Sequence, residues 1–320
     1  DSNVYLWGSN SGDRDFIIHD GGEVIITDNS IISSYTNTCF DFTLKSGGKL
    51  TVDNSRIQWS CEVYLRSANW SITNSWFEHA PVEVNLYETM STYFPSNGTT
   101  IYEVNHTFSN NVLANSSTTN SSGSTALTHS SSSPDMIDTK LRYLNTTIVL
   151  NSYAAKGIYH YNDRYNNFEY NVLDVSTLSS TPSRTSVTSS GNYFVYLYAC
   201  NSCELSLRNF SLHDSKSHTA IETGSYGTLT LDNGTIEKMM YGNATSSFPY
   251  DNGNKEYVMV MIESHSDAKI SNLLINNTFN FQYTSSTSTS DYLRYTKECT
   301  TLRHYTSAIV IEDLTITNNC

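Results

Sequence analysis

The sequence predicts an all-β solenoid of stacked coils, and three observations carry that expectation. First, the phrase Gly47-Gly48-Lys49-Leu50-Thr51-Val52-Asp53-Asn54-Ser55-Arg56-Ile57 returns as Gly227-Thr228-Leu229-Thr230-Leu231-Asp232-Asn233-Gly234-Thr235-Ile236. Second, its apolar residues keep a period of two, the period of a strand. Third, weaker copies recur from end to end at irregular intervals, the mark of stacked units with loops of varying length between them. The 3.6-residue period of an α-helical solenoid is absent, and a leucine-rich repeat would hold its spacing more tightly.

Each copy aligns on one slot, occupied in turn by Asn29, Asn54, Asn74, Asn110, Asn145, Val172, Asn209, Asn233, Asn272 and Asp313. Two residues earlier stand Thr27, Val52, Ile72, Phe108, Tyr143, Tyr170, Leu207, Leu231, Ile270 and Ile311, with only Thr27 polar. Three residues later every copy is apolar, from Ile32 and Ile57 to Ile275 and Ile316. Strand alternation puts Leu50, Val52 and Asn54 on one face, and the apolar residues make that face the interior. The expectation is therefore a structural ladder of inward asparagines (Asn29, Asn54, Asn74, Asn110, Asn145, Asn209, Asn233 and Asn272), stacked about 4.8 Å apart with amide bonded to amide.

In chain order, residues 1–20 carry a first coil through Val4-Tyr5-Leu6-Trp7 and Phe16-Ile17-Ile18. Residues 21–80 hold three tight coils with short corners, their strands preceded by Gly21-Gly22 and Gly47-Gly48. A looser section begins at residue 81, and residues 115–133 are nearly all Ser, Thr and Asn, as expected of a long corner loop. Coils resume over 141–175, where Tyr159, Tyr161, Tyr165 and Tyr170 are expected to give a corner an aromatic surface. A Ser/Thr-rich loop at 176–190, strands at 193–198, 205–212, 229–236 and 257–262, an excursion at 239–254 and a last such loop at 284–290 lead to the final coil. The recurrence predicts one continuous domain over residues 1–320 rather than two. Without an initiator Met or a leader, and with its last strand in mid-coil, the chain reads as a unit of something longer or polymeric, uncapped at both ends.

Composition limits the function. Ser and Thr make up 86 of 320 residues, Lys and Arg only 18, and the net charge is −13. Nucleic-acid binding requires a basic stripe, and anionic membranes attract basic segments; both partners are disfavoured. No run of about 18 apolar residues predicts membrane insertion. The six cysteines are even in number, with Cys39 and Cys61 22 residues apart and Cys299 and Cys320 21 apart, so each pair can join neighbouring coils. Cys200 and Cys203 close a tight loop or bond elsewhere. Disulfides imply an oxidising, extracellular or cell-surface location. A zinc site is disfavoured because the lone Cys-x-x-Cys has no second ligand pair at finger spacing. Ten Asn-x-Ser/Thr sequons agree with secretion. Seven lie outward or in loops and are the glycosylation candidates: Asn69, Asn97, Asn105, Asn115, Asn120, Asn243 and Asn276. The other three, Asn145, Asn209 and Asn233, occupy inward slots and are set aside, because a buried asparagine has no room for a glycan.

The two Gly-started phrases and the asparagine column resemble the right-handed parallel β-helix proteins of pectin-lyase-like architecture. That resemblance implies a single-stranded right-handed parallel β-helix with long Ser/Thr-rich corner loops, and the chain is most similar to glycosylated extracellular surface and filament proteins of protists. It lacks the Asn-Thr-Asp, Asp-Asp, His-Gly and Arg-Ile-Lys signatures of polygalacturonase-type members. Gly21-Gly22-Glu23-Val24 only approaches the Gly-Gly-Ala repeat of bacterial autotransporter and chlamydial surface families.

Catalysis requires a base or paired carboxylates gathered on one face. The candidates are Asp41 with Glu62, joined by Glu83 or Glu88, and the set His213, His218 and His265. The plainer expectation is that these are solvated residues between inward ones. Trp70 and Trp76 are expected in core or corner packing, although with Trp59 and the tyrosines they could line a carbohydrate groove. No calcium loop is present, and Tyr250-Asp251-Asn252-Gly253-Asn254 only approximates one. The sequence thus points to a non-enzymatic structural glycoprotein without cofactor, carrying covalent N-glycans and assembling end to end with its own copies into a coat or filament. The alternative is a polysaccharide-binding adhesin, or a polysaccharide lyase or hydrolase, with grouped carboxylates or aromatics across three or more coils.

Overall fold

The computed structural model describes residues 3–6, 15–34, 39–67, 69–85, 106–114, 125–130, 139–150, 156–161, 166–177, 195–199, 201–217, 219–243, 259–276, 278–284, 292–294, 302–305 and 308–317. These residues are all-β, without a helix. The strands β1 (Asn3–Leu6), β2 (Asp15–Ile18), β3 (Glu23–Ile26), β4 (Ile31–Ser34) and β5 (Phe40–Leu44) come first. At short intervals follow β6 (Lys49–Asp53), β7 (Arg56–Gln58), β8 (Ser60–Leu65), β9 (Trp70–Thr73), β10 (Trp76–Glu78) and β11 (Val82–Val84). Next are β12 (Thr107–Ser109), β13 (Val112–Ala114), β14 (Thr125–Ser130), β15 (Thr139–Leu150), β16 (Lys156–Tyr161) and β17 (Asn166–Thr177). Then come β18 (Leu197–Ala199), β19 (Glu204–Ser217), β20 (Ile221–Thr223), β21 (Thr228–Asn243) and β22 (Val260–Ile262). The set is completed by β23 (Asp267–Asn276), β24 (Phe279–Thr284), β25 (Tyr292–Arg294), β26 (Leu302–His304) and β27 (Ala308–Thr317).

Two stacked sheets result. One is ten-stranded, in the chain order β2, β5, β8, β11, β14, β16, β18, β20, β22, β26; the remaining strands form the other. Strands β6, β7 and β8 pair in parallel with β9, β10 and β11 respectively, so the same three strand positions recur from one repeat to the next. Every described pairing is parallel except that of β24 with β25. Inward side chains of both sheets, such as Val52 and Ile57 of the larger and Val63 and Leu65 of the smaller, belong to one hydrophobic cluster.

The slot residues stand in register from coil to coil, but their direction is opposite to the one alternation predicts. Asn54, Asn74, Asn110, Asn145, Asn209, Asn233 and Asn272 are all exposed. The cause is their backbone. All ten slot residues have φ between 45° and 65°, the left-handed region. A single left-handed residue turns the strand and resets its inside–outside phase. The inward residues are consequently those two before, one after and three after the slot: Val52, Ser55 and Ile57 in one coil, Ile72, Ser75 and Phe77 in the next. Asparagine tolerates this conformation better than other side-chain-bearing residues, which is why it recurs there. The buried amide sits one position further on. Asn111 is fully buried; its Nδ2 donates to the Ile72 carbonyl at 2.8 Å, and its Oδ1 accepts the Ser75 N–H at 3.0 Å.

The polar Thr27 has a local reason too. Ile26 pairs with Val52 while Ile31 pairs with Arg56, so the first bend holds one extra residue. Asp28 and Asn29 are both left-handed, and Ile26, not Thr27, fills the buried position. A second set of left-handed residues recurs two positions before the larger sheet's strands, where Gly21, Gly47, Ser202, Tyr226 and His265 turn the chain. Inside, Phe108, Tyr143 and Tyr170 form one column, Phe108 edge-on to Tyr143 and Tyr143 stacked on Tyr170, with ring centroids 5.2 Å and 4.9 Å apart, close to the strand spacing. Tyr170 is thus core and not part of an aromatic surface. Each such ring contributes about 1.5–3 kcal/mol by burial.

Candidate functional site

The interior is mainly apolar, and most of the charged and hydrogen-bonding side chains stand in outward columns. One of them is the slot column. Asn74 Nδ2 donates to Asp53 Oδ1 at 2.8 Å, Asn110 Nδ2 to Asn74 Oδ1 at 3.0 Å, and Asn145 Nδ2 to Asn110 Oδ1 at 2.9 Å. Val172 interrupts the run; beyond it Asn209 Nδ2 donates to Asn171 Oδ1 at 2.8 Å, and Asn233 Nδ2 to Asn209 Oδ1 at 2.7 Å. These amides hydrogen-bond along the stack on the solvent side, not in the core.

The predicted carboxylates come together on the outer face of the ten-stranded sheet. Register sets Asp15 beside Asp41 and Asp41 beside Glu62. Burial pushes the Glu62 carboxyl up to about 8; a hydrogen bond with Glu83 and the charges of Glu83 and Asp41 add to the rise, and a hydrogen bond from Tyr64 opposes it. Glu62 therefore keeps its proton at neutral pH, hydrogen-bonded with Glu83. Glu88 lies outside the described residues.

The same face carries one row across ten coils: Ile17, Thr43, Tyr64, Glu83, Thr128, Tyr159, Tyr198, Glu222, Met261 and Arg303. Tyr159 and Tyr198 lie 5.7 Å apart, centroid to centroid, at 22°. Tyr196 donates its hydroxyl to Glu222 Oε2 at 3.1 Å. Burial and the Glu222 charge raise its phenol far above the ordinary range. Periodicity marks these positions as outward but carries no information about which distant residue each one meets.

The predicted histidine set divides. His213, in β19, is held between two carboxylates. His265 stacks on Tyr226 at a turn, with centroids 4.9 Å apart, and His218 lies outside the described residues. Among the tryptophans, Trp70 is buried, while Trp76 is 40 % exposed under the Arg56 guanidinium and so lies outside the core. Trp59 stacks on His79 with centroids 4.1 Å apart.

Cys39 and Cys61, one coil apart, form a disulfide with Cα atoms 4.9 Å apart. Cys203 is also disulfide-bonded. Cys200, Cys299 and Cys320 lie outside the described residues, as do Asn97, Asn105, Asn115 and Asn120. Asn69 is exposed, and Asn276 Oδ1 accepts a hydrogen bond from Thr317 at 3.0 Å. Asn243 lies in β21. Among the described residues, no group of three or more His, Cys, Asp or Glu is placed to hold a metal ion, and no helix is long and apolar enough to cross a membrane. Comparison with protein-family models, curated proteins and solved structures finds no match.

Proposed function

We propose that this chain is a non-enzymatic extracellular structural glycoprotein: a right-handed parallel β-helix of pectin-lyase-like kind, forming the stiff body of a surface coat or filament. The observation that supports this reading is the outward amide column, whose hydrogen-bonding capacity is directed to the next coil rather than to a ligand. The disulfide between neighbouring coils fits an oxidising exterior. End-to-end assembly belongs to the same reading, since coils recognise each other by backbone pairing and another copy can offer the same edge. Electron microscopy of native material, with solution scattering over a concentration series, tests it. Fibres or end-to-end oligomers are expected; isolated short particles at every concentration would overturn the assembly.

The ten-coil row supports a second reading, a polysaccharide-binding face, because it gathers Tyr64, Glu83, Tyr159, Tyr198 and Glu222 over more than three coils. Affinity electrophoresis in polysaccharide gels discriminates. Retardation abolished by Tyr198→Ala favours binding, and release of unsaturated or reducing sugar favours an enzyme.

A further inference from the structure

The slot column reopens the modification of three asparagines. Asn145-Thr146-Thr147, Asn209-Phe210-Ser211 and Asn233-Gly234-Thr235 are sequons whose asparagines are exposed on left-handed bends. Their outward direction removes the steric objection to a glycan. The remaining objection is that each Nδ2 already donates to a neighbour. In a stack of amides, carbonyls point one way along the axis and N–H groups the other. The donated hydrogen is then the one anti to the residue's own Oδ1, as in a peptide group. The second hydrogen on Nδ2 has no part in the stack. Replacing it with a sugar leaves the amide planar and its stacking N–H in place.

We infer that this column is a line of N-glycans, with one on Asn145 and one shared between Asn209 and Asn233; the inference rests on the extracellular reading above. In the transfer, Nδ2 bonds to the anomeric carbon of a lipid-pyrophosphate-linked oligosaccharide. The anomeric C–O bond breaks, its electron pair leaves with the pyrophosphate, and one Nδ2 proton is lost. Asn145 and Asn209 are separated by the coil of Val172, so their glycans stand two coil spacings apart, about 9.6 Å. Asn209 and Asn233 are one spacing apart, about 4.8 Å, where two branched sugars collide in the folded chain. Neither position is excluded alone, and the pair carries one.

The full chain, secreted from an N-glycosylating host, is deglycosylated enzymatically in ¹⁸O water and mapped by peptide mass, alongside variants that remove a sequon without touching its asparagine. Label is expected at Asn145 and at either Asn209 or Asn233. Thr147→Ala loses one glycan. Ser211→Ala and Thr235→Ala each leave the count unchanged, and the double variant loses one. An unlabelled Asn145, an unlabelled pair, or both members labelled in one chain would overturn the inference. Asn69, exposed and off the column, separates the causes. Label there without label at Asn145, Asn209 or Asn233 refutes only the column; no label anywhere refutes the glycoprotein reading as well.

Discussion

Asp174 Oδ1 lies 2.9 Å from Nε2 of His213, which stands 39 residues later in sequence and one coil further on, while Asp214 Oδ2 lies 2.8 Å from Nδ1. Burial alone would lower the imidazole's pKa; the hydrogen bonds and charges of Asp214 and Asp174 outweigh it and raise the value above 6.5. The stability from this clamp is complete below the unfolded value and is lost as pH rises through the folded one. Asp174→Asn is therefore expected to cost about 1 kcal/mol or less at pH 5.5, because the group is partly in water, and less still at pH 9. NMR titration of His213 in the variant should show a lower midpoint. An unchanged midpoint would remove Asp174 from the clamp.

Val172 is the one β-branched residue in the slot column, at φ 57°. L-residues resist this region by about 1–2 kcal/mol, and valine resists it strongly. Val172→Asn is expected to raise stability by about that amount and to place an amide between Asn145 and Asn209. Val172→Gly should relieve the strain without supplying the amide. The denaturant midpoints of the two variants separate conformation from hydrogen bonding, provided the slope is unchanged. A loss of stability in both would contradict the strain.

Gly234 leaves space for a ring. A Cβ at that position would overlap the Phe210 side chain of the preceding coil. Gly234→Ala is expected to cost about 1–3 kcal/mol by overpacking. The double variant with Phe210→Leu should recover part of the loss, and a double-mutant cycle measures the coupling.

Glu62 predicts a slope of the same sign as His213, in a window that opens at lower pH. Its carboxyl rises from 4.5 to about 8 in the fold, chiefly by burial and then by the bond to Glu83. Stability drawn from the protonated form is complete below pH 4.5 and declines as pH rises towards 8. Glu62→Gln cannot ionise, so its melting temperature should fall less than the wild type's over that window. Parallel curves would show that Glu62 is ionised throughout.

The register of the coils was legible because two local demands recur in nearly every copy: apolar residues two before and three after the slot, broken only at Thr27, and a residue able to adopt positive φ at it, broken only at Val172. The direction of the slot was not legible. Alternation assumes an extended backbone, and one left-handed residue shifts the phase without altering composition. The buried amide was therefore sought at Asn110 and found at Asn111. Partnerships such as His213 with Asp174, or Glu62 with Glu83, depend on loop lengths that differ from coil to coil. A single sequence records no periodic trace of them.

The extra residue at Asp28 and Asn29 shows what the bend permits. Ile26 and Ile31 still meet Val52 and Arg56, although the first coil is longer at that point than the second. In an uninterrupted strand such a slip would turn every following side chain inside out. Here the kink works as an expansion joint: a length mismatch is absorbed where it arises, and the next layer is laid as though nothing had been added.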